Sequence, residues 1–285
     1  MKLTVAVNNK NNILEYKKIG ANAFIFALKD YSCGYEGYYT LEDIKAIREE
    51  NKDIEIFVSL NKNFFNGELD GLKDILIELD KLDITGVLFY DMAVLSLRNK
   101  LNLKLELVWD QTHMVTNYNT CNYYLDKNVK YGVVSKEITV DEIIEIASKT
   151  KMKLMTNVFC YPLMSFTRRH LLTNHFKSHN KEKEKNRYTV INNNEEYIVN
   201  EEDHGTGLYY GKLLNGSNVV NRLNTDYIIL NETFIDKELF TKVLTLFKKL
   251  IDTKDENIEK EIDNLIGDYR GFFFTKTIYK VKKND

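Results

Sequence analysis

The sequence predicts an α/β protein, a (β/α)8 TIM-like barrel with a β-hairpin insertion between strands 7 and 8. Short apolar runs alternate with amphipathic stretches, and eight such pairs can be counted in 285 residues. That length suits a (β/α)8 barrel. Runs such as 25–28 are continuously apolar, which is typical of a parallel sheet covered by helices. A doubly wound open sheet is the structural alternative.

The first half of the chain supplies four of these units. Gly20 stands where the first helix should end, because glycine readily adopts the backbone conformation found there. Thr40 is the expected N-cap of the second helix, since its hydroxyl can accept a hydrogen bond from a free backbone amide of the first turn. The predicted strands are 3–7, 23–28, 53–60 and 86–89, and the predicted helices are 11–19, 40–50, 69–82 and a fourth that begins at 92.

The second half repeats the pattern. Thr139 and Glu142 have the spacing of a capping box, in which each side chain bonds to the other residue's backbone amide. The predicted strands are 105–109, 132–134, 153–159 and 226–230, and helices are predicted at 117–127, after 139 and at 236–250.

We expect residues 1–285 to form a single (β/α)8-like domain, interrupted by a long irregular segment at 158–225. In a barrel this segment joins a strand to a helix, so it should lie on the C-terminal face, where active sites are found. It reads as a basic helix followed by a hairpin of strands 187–191 and 196–201. Residues 268–285 form a C-terminal extension. Apolar and polar residues alternate in part at 271–281, so this segment could form an extra strand or pack on the hairpin or a partner.

Composition narrows the class of protein. A hydrophobic content of 44% with 29% charged residues does not suit a disordered chain. The net charge of −2 gives no global attraction to nucleic acid, so RNA binding would need a local patch. The chain shows no signal peptide and no run long enough to cross a membrane, which predicts a cytoplasmic protein. Three separated cysteines indicate a reducing compartment.

The most informative stretch is 160–172. The only proline of the chain, Pro162, fixes the backbone directly after the seventh strand. Arg168, Arg169 and His170 follow at the start of a predicted helix, where guanidinium groups and free amides suit an anion. The alternative is a solvated basic helix face.

A basic run comes next. It interleaves with aromatic residues and could contact a nucleic-acid backbone, although such a run is also typical of a solvated loop. His175 and His179 lie four residues apart, but no carboxylate has zincin spacing and we predict no metal site. The cations of this patch are Lys177, Lys181, Lys183, Lys185 and Arg187.

Polar residues at the ends of the predicted strands are further candidates, because these ends point towards a barrel's active site. Asp110 and His113 could be an acid/base pair. Alternatively, Asp110 caps the next helix and His113 is an ordinary polar residue. His204 lies in a polar cluster that either covers the mouth of the barrel or forms a turn. The remaining strand-end candidates are Asn8, Asn61, Asp91, Gln111 and Asn157, of which Asn61 and Asp91 are expected to bind substrate.

Several segments within residues 1–230 resemble the collagenase-like peptidase family U-32. Residues 19–24 (Ile-Gly-Ala-Asn-Ala-Phe) resemble that family's GADAVY segment, and 58–61 (Val-Ser-Leu-Asn) resemble its VTLN. Residues 112–117 resemble TQMNITN, and 169–176 resemble RCLLSNYF. Their order and spacing together carry the resemblance.

The resemblance implies a tRNA-modification factor for 5-hydroxylation of the wobble uridine, with prephenate as co-substrate. Other members resemble ubiquinone-pathway or rRNA hydroxylation factors. The family's peptidase label gives the runner-up, although no Ser, Cys or zinc protease constellation is visible. A non-catalytic binding subunit is the third alternative.

The chain also departs from the family pattern. Leu163 and His170 stand where many members carry cysteines that resemble iron–sulfur ligands, so we do not expect a cluster here. Tyr161 and Arg169 match the pattern of a short, cluster-lacking branch, and we include both in the expected anion site. The resemblance implies tRNA and a longer, cysteine-bearing homologue as partners, and leaves an oligomer open.

Overall fold

The computed structural model describes residues 1–276. Its centre is a barrel of eight parallel strands, and a two-residue strand, β3 (Tyr38–Tyr39), pairs in parallel with the end of the second barrel strand. The barrel strands are β1 (Lys2–Ala6), β2 (Ala23–Leu28), β4 (Glu55–Leu60), β5 (Gly86–Phe89), β6 (Leu107–Trp109), β7 (Tyr131–Val133), β8 (Lys153–Cys160) and β14 (Tyr227–Asn231).

The sheet closes on itself through β1. On one side β1 pairs with β14, with Lys2 opposite Tyr227, and on the other it pairs with β2, with Thr4 opposite Ala23. Each of the remaining barrel strands pairs in parallel with the barrel strands that come before and after it in the chain. The prediction of a (β/α)8 barrel is confirmed, and the open-sheet alternative is wrong.

Helices surround the barrel. A last helix, α10 (Glu256–Ile266), packs beside α9 (Lys237–Thr253) and was not expected from the sequence. The helices that follow barrel strands directly are α1 (Ile13–Ile19), α2 (Leu41–Glu50), α3 (Leu69–Asp80), α4 (Met92–Lys100), α5 (Tyr118–Leu125), α6 (Val140–Lys149) and α9 (Lys237–Thr253).

The expected helix signals are present. Thr40 and Asp43 form a capping box at α2, and Thr139 and Glu142 form one at α6. Gly20 ends α1 with a φ of 121°, a conformation that glycine adopts without steric cost. These local bonds satisfy backbone groups that helix ends would otherwise leave free.

Both faces of the barrel sheet are buried, which explains the continuously apolar strands. One set of side chains, including Ala6, Ile25 and Leu88, fills the interior of the barrel, and alternate residues pack against the helices. Inside, the rings of Phe57 and Tyr227 meet edge to face with centroids 5.6 Å apart. Because the interior is packed, ligands can enter only at its end.

The insertion is larger than the predicted hairpin. It contains a four-stranded antiparallel sheet in the order β10-β11-β12-β9. The predicted helix and hairpin are present, and Asn193 and Asn194 have the positive φ values of a tight turn. The insertion comprises β9 (Leu163–Thr167), α7 (Leu171–Ser178), β10 (Arg187–Asn192), β11 (Glu195–Glu202), β12 (Gly205–Tyr210), β13 (Leu214–Asn215) and α8 (Ser217–Val220).

The C-terminal extension begins after α10. Residues 271–275 form turns, so the strand considered for 271–281 does not begin there, and 277–281 lie outside the described residues. Within residues 1–276, none of the helices combines the length and apolarity needed to span a bilayer.

Candidate functional site

A cavity of about 230 Å³ opens at the mouth of the barrel. Its floor comes from residues that directly follow β4, β5 and β6, and its roof comes from β9 of the insertion. We call it the mouth cavity. It is lined by Cys33, Asn61, Lys62, Asn63, Tyr90, Asp110, Thr112, His113, Leu163, Met164, Ser165, Phe166, Arg168 and His204.

Asp110 is the carboxyl group on the cavity floor. It follows β6 directly, and its backbone amide donates to the carbonyl of Phe89 at 3.0 Å. Burial raises the pKa of this carboxyl from 3.8 to about 6, against a smaller opposing effect of Lys136. A group with such a pKa can take up or release a proton near neutral pH. Asp110 does not cap the next helix, because Asn117 occupies the N-cap of α5.

Two cations share one carboxylate at the rim of the mouth cavity. Arg168 donates to both oxygens of Glu68 at 2.8 and 3.2 Å, and Lys62 donates to it at 2.8 Å. Burial opposes ionisation of Glu68, but the bonds from Arg168 and Lys62 outweigh it and lower its pKa to about 2. The Lys62 side chain is only 6% exposed. The three groups carry a net positive charge, which favours an anionic ligand.

Two histidines form the side walls of the mouth cavity. His113 lies 3.1 Å from Glu137 and also lines an apolar cavity of about 290 Å³. His204 lies 3.7 Å from Asp30, and burial followed by the charge of Lys62 lowers its pKa. His113 and Asp110 thus line one cavity, and His204, which forms the turn between β11 and β12 with Asp203, lines it as well.

On the far side of His204 lies a larger cavity of about 620 Å³, between the insertion sheet and the loop that follows β2. Glu202 is in its wall and accepts from the amide of Gly34 at 3.0 Å and the hydroxyl of Tyr38 at 2.5 Å. Burial raises the pKa of Glu202, although these bonds oppose the rise. His204 lines both cavities and is the partition between them.

Arg187 closes the outer side of the larger cavity. Its guanidinium donates to Glu36 at 3.1 Å and lies 4.7 Å from the centroid of the Phe234 ring. Arg168 is held in the same way at the mouth cavity, since it pairs with Glu68 and lies 3.7 Å from the Phe65 ring. The two arginines therefore fasten the insertion to the barrel loops on either side of His204.

The other predicted anion-binding residues are more scattered. Asn61 lines the mouth cavity and braces the loop after β2 through two bonds to the backbone of Cys33. Asp91 caps α4 and accepts from the amide of Phe64 at 2.9 Å, so both of its oxygens bond to backbone. Tyr161 is half-buried and is not among the residues that line the mouth cavity.

Arg169 and His170 lie on the outer surface of the insertion, at the N-terminus of α7. Arg169 is exposed, and its backbone carbonyl accepts from the hydroxyl of Thr206 at 2.8 Å. His170 is the N-cap residue of α7 and lies 4.0 Å from Glu201. Neither residue is among those that line the mouth cavity.

The predicted nucleic-acid patch divides into two groups. Lys183 bonds to Glu201 at 2.6 Å, and Arg187 bonds to Glu36. Lys185 lies over the ring of Tyr188 at 4.9 Å. Lys177 and Lys181 are exposed. Only the last two extend into solvent without a described partner within residues 1–276.

Glu201 is the buried carboxylate that binds Lys183. It is 3% exposed and also accepts from the backbone amide and the hydroxyl of Thr173. Burial opposes its ionisation, but Lys183 and Thr173 outweigh this effect and lower its pKa to about 2. A buried carboxylate of this kind needs its cation, so Lys183 stabilises the insertion.

The three cysteines are buried and unpaired. Burial raises the pKa of Cys33, of Cys121 to about 11, and of Cys160. Each is therefore a thiol rather than a thiolate at neutral pH, and the thiolate is the nucleophilic form. None of them is prepared to act as the nucleophile of a cysteine peptidase.

Within residues 1–276, no group of three or more His, Cys, Asp and Glu side chains could hold a metal ion. The rings of His175 and His179 lie 4.4 Å apart on the exposed surface of α7. Asn8, Gln111 and Asn157 do not line the mouth cavity. Asn8 donates to the carbonyl of Glu232, Gln111 donates to that of Tyr90, and Asn157 is half-buried within β8.

Several residues of the site were missed from the sequence. Lys62 directly follows the strand-end residue Asn61, so the rule that strand ends point towards a barrel's active site could have identified it. Glu68, Glu36 and Phe234 lie on three different loops, and no local pattern links them to the arginines that they contact. Their role depends on tertiary folding.

Three comparisons relate the chain to known proteins. The family model described as Peptidase family U32 matches residues 9–276. The tRNA hydroxylation protein P2 of Bacillus subtilis (strain 168) is 28% identical over 177 residues, which cover 61% of this chain and 57% of that protein. The match therefore spans little more than half of the relative's length.

Among solved structures, phosphoribosyl anthranilate isomerase from Thermus thermophilus is similar with a TM-score of 0.50. The similarity covers 88% of this chain and 99% of that chain, at 9% identity. At this identity the likeness concerns the fold alone.

Proposed function

Because the chain belongs to peptidase family U32, we propose that it is a tRNA-modification factor that takes part in 5-hydroxylation of the wobble uridine. The observation that carries this proposal is the mouth cavity, where Asp110, with a pKa of about 6, faces the cations Lys62 and Arg168. Similarity to a relative named as a tRNA hydroxylation protein supplies the substrate class. The place of action would be the cytoplasm.

Prephenate is the proposed co-substrate. It carries two carboxylates, and the mouth cavity offers Arg168 and Lys62, which share the single carboxylate of Glu68. Charge-assisted bonds from a guanidinium to a carboxylate are among the stronger hydrogen bonds in proteins. Asp110 would hold or accept a proton at the floor of the same cavity. The roof formed by β9 would limit the access of water.

The exposed cations of the insertion would contact the RNA backbone. Lys177, Lys181 and Arg169 are exposed on the insertion. Such contacts supply affinity without sequence selectivity. A longer, cysteine-bearing homologue is the proposed partner with which this chain would act.

The peptidase alternative is not favoured. All three thiols are buried with raised pKa values, so no cysteine is activated. Thr112 and Ser165 line the same cavity as Asp110 and His113, but within residues 1–276 no hydrogen bond joins either hydroxyl to Asp110 or His113. The residues of the mouth cavity suit an anion and a proton transfer better than attack on a peptide bond.

The proposed function is tested by mass spectrometry of nucleosides from the tRNA of a deletion strain. We expect 5-hydroxyuridine derivatives to be lost and to return when the wild-type gene is supplied. An Asp110→Asn gene should not restore them, whereas an Asp252→Asn gene, changed on the outer helix α9, should. Unchanged modification in the deletion strain would refute the role in tRNA hydroxylation.

Prephenate binding is measured separately by calorimetry with purified protein. An Arg168→Gln variant should bind prephenate at least about tenfold more weakly than the wild type. Equal binding by both proteins would remove prephenate from the mouth cavity while leaving the tRNA result intact.

A further inference from the structure

We infer that the larger cavity receives an unpaired nucleobase of the RNA, with the Phe234 ring as its stacking surface. This inference rests on the proposed function, because it assigns a place to the RNA substrate. The cavity of about 620 Å³ is separated from the mouth cavity by His204. A base held there lies next to the cavity that contains Asp110.

The backbone of Phe234 is the first observation. Its φ is +65°, in the left-handed region that a bulky L-residue adopts only at a cost in free energy. The amide of Phe234 donates to Glu36 at 2.9 Å, which holds the residue in this conformation. Strain of this kind is found mainly where a side chain must be placed for function.

The surroundings of the Phe234 ring are the second observation. One contact is the guanidinium of Arg187 at 4.7 Å, and the ring of Tyr209 meets it edge to face at 4.9 Å. Phe234 is only half-buried, so part of its ring remains accessible from the cavity. Planar guanidinium and aromatic groups are the surfaces on which unpaired RNA bases stack.

The two cavities differ in charge, so they suit different parts of a nucleotide. The larger cavity is lined by five carboxylates and three cations, whereas the mouth cavity is lined by two cations, Lys62 and Arg168, and one carboxyl group, Asp110. An acidic cavity favours an uncharged ring that carries N–H donors and disfavours a phosphate. Its three cations, Lys29, Lys185 and Arg187, are exposed and are therefore accessible to the phosphates on either side of the base.

Hydrogen-bonding groups complete the cavity. Asn186 and Asn200 line it and can donate and accept at a base edge. Glu202 can accept from a ring N–H, in addition to its bonds from Gly34 and Tyr38. Recognition of a splayed base requires such edge contacts together with stacking.

The test uses two single-stranded probes, an abasic RNA strand and the same strand with one uridine at its centre. Fluorescence anisotropy at one salt concentration measures the affinity of the full-length protein for each. We expect the uridine to improve binding to the wild type by about tenfold, which corresponds to the stacking of one base.

Four variants test whether the Phe234 ring causes the gain in affinity that the uridine gives. Phe234→Leu removes the aromatic face, and Phe234→Gly removes the ring with a residue that favours the left-handed backbone. Both should lose the gain from the uridine, and Phe234→Trp should keep it. The matched control is Phe274→Leu, which removes a ring stacked on Arg222 in another ion-paired cluster, and it should behave as the wild type.

The outcomes separate this inference from the proposed function. If Phe234→Leu and Phe234→Gly keep the full gain, or if the wild type shows none, the larger cavity does not take the base, whatever the tRNA analysis gives. If deletion of the gene leaves tRNA hydroxylation unchanged, the proposed function fails. Loss of the gain in both variants, with rescue by tryptophan, supports the base site.

Discussion

Arg168 and Glu68 form a two-point ion pair that joins the end of β9 to the loop after β4. The guanidinium donates to the two carboxylate oxygens at 2.8 and 3.2 Å. Lys62 bonds to the same carboxylate from the buried side, at 2.8 Å. The carboxylate therefore connects the roof of the mouth cavity to its floor.

Replacing Glu68 with glutamine should destabilise the protein by about 1–3 kcal/mol, because Lys62 would remain buried without an anion. Urea denaturation measures the change. Glu145→Gln breaks only an exposed pair with Lys149 and should cost much less. Equal effects of the two substitutions would show that the buried cation does not depend on Glu68.

Asp110→Asn should stabilise the protein above pH 6 while it abolishes the proposed activity. The pKa of Asp110 is 3.8 when unperturbed and about 6 in the folded protein, so the folded state binds this proton more tightly than the unfolded chain. The contribution of Asp110 to stability therefore falls as pH rises from 3.8 to about 6. Asparagine cannot ionise and avoids this cost.

The expected gain is on the order of 2 kcal/mol above pH 6, and it should shrink as pH falls towards 4. Urea denaturation of both proteins across this range measures it. A difference that does not depend on pH would mean that packing, rather than ionisation of Asp110, accounts for the change.

Under the proposed function, the Lys177→Ala/Lys181→Ala double variant should weaken tRNA binding and reduce its salt dependence. Each removed phosphate contact should lower the slope of log affinity against log salt by about 0.7–0.9. Anisotropy titrations at several salt concentrations measure the slope. Lys242→Ala/Lys249→Ala, on exposed positions of α9, is the matched control and should leave the slope unchanged.

The three thiols should be inert in the native protein. All are buried, and burial raises their pKa values. A thiol-specific disulfide reagent followed by absorbance should react with all three only after denaturant is added. Rapid reaction of one thiol in the native state would reveal an activated cysteine and revive the peptidase alternative.

The barrel could be predicted from the sequence because its strands are buried on both faces and thus continuously apolar. The insertion sheet could be predicted only in part. β9 and β12 are half-exposed or rich in glycine, so neither resembles a buried strand. Gly205 is needed because a Cβ there would approach the carbonyl oxygen of Thr167 to 2.0 Å, a contact that sequence alone does not reveal.

Residues of the site could likewise be predicted only where a rule based on local sequence applies. Asp110 and His113 follow a strand end, and the position rule for barrels identified them. Phe234 also follows a strand, but its left-handed backbone depends on Glu36, which is distant in sequence. The basic run predicted a uniform patch, whereas folding brings Glu201 and Glu36 against two of its members.

The pairing of β1 with β14 has a consequence for synthesis of the protein. β1 is translated before the other barrel strands and must wait for β14, and the whole insertion is translated in between. Until then the edges of β1 and of the growing sheet stay open, and open edges invite pairing with other chains. We expect nascent chains that stall before β14 to aggregate or to require chaperones.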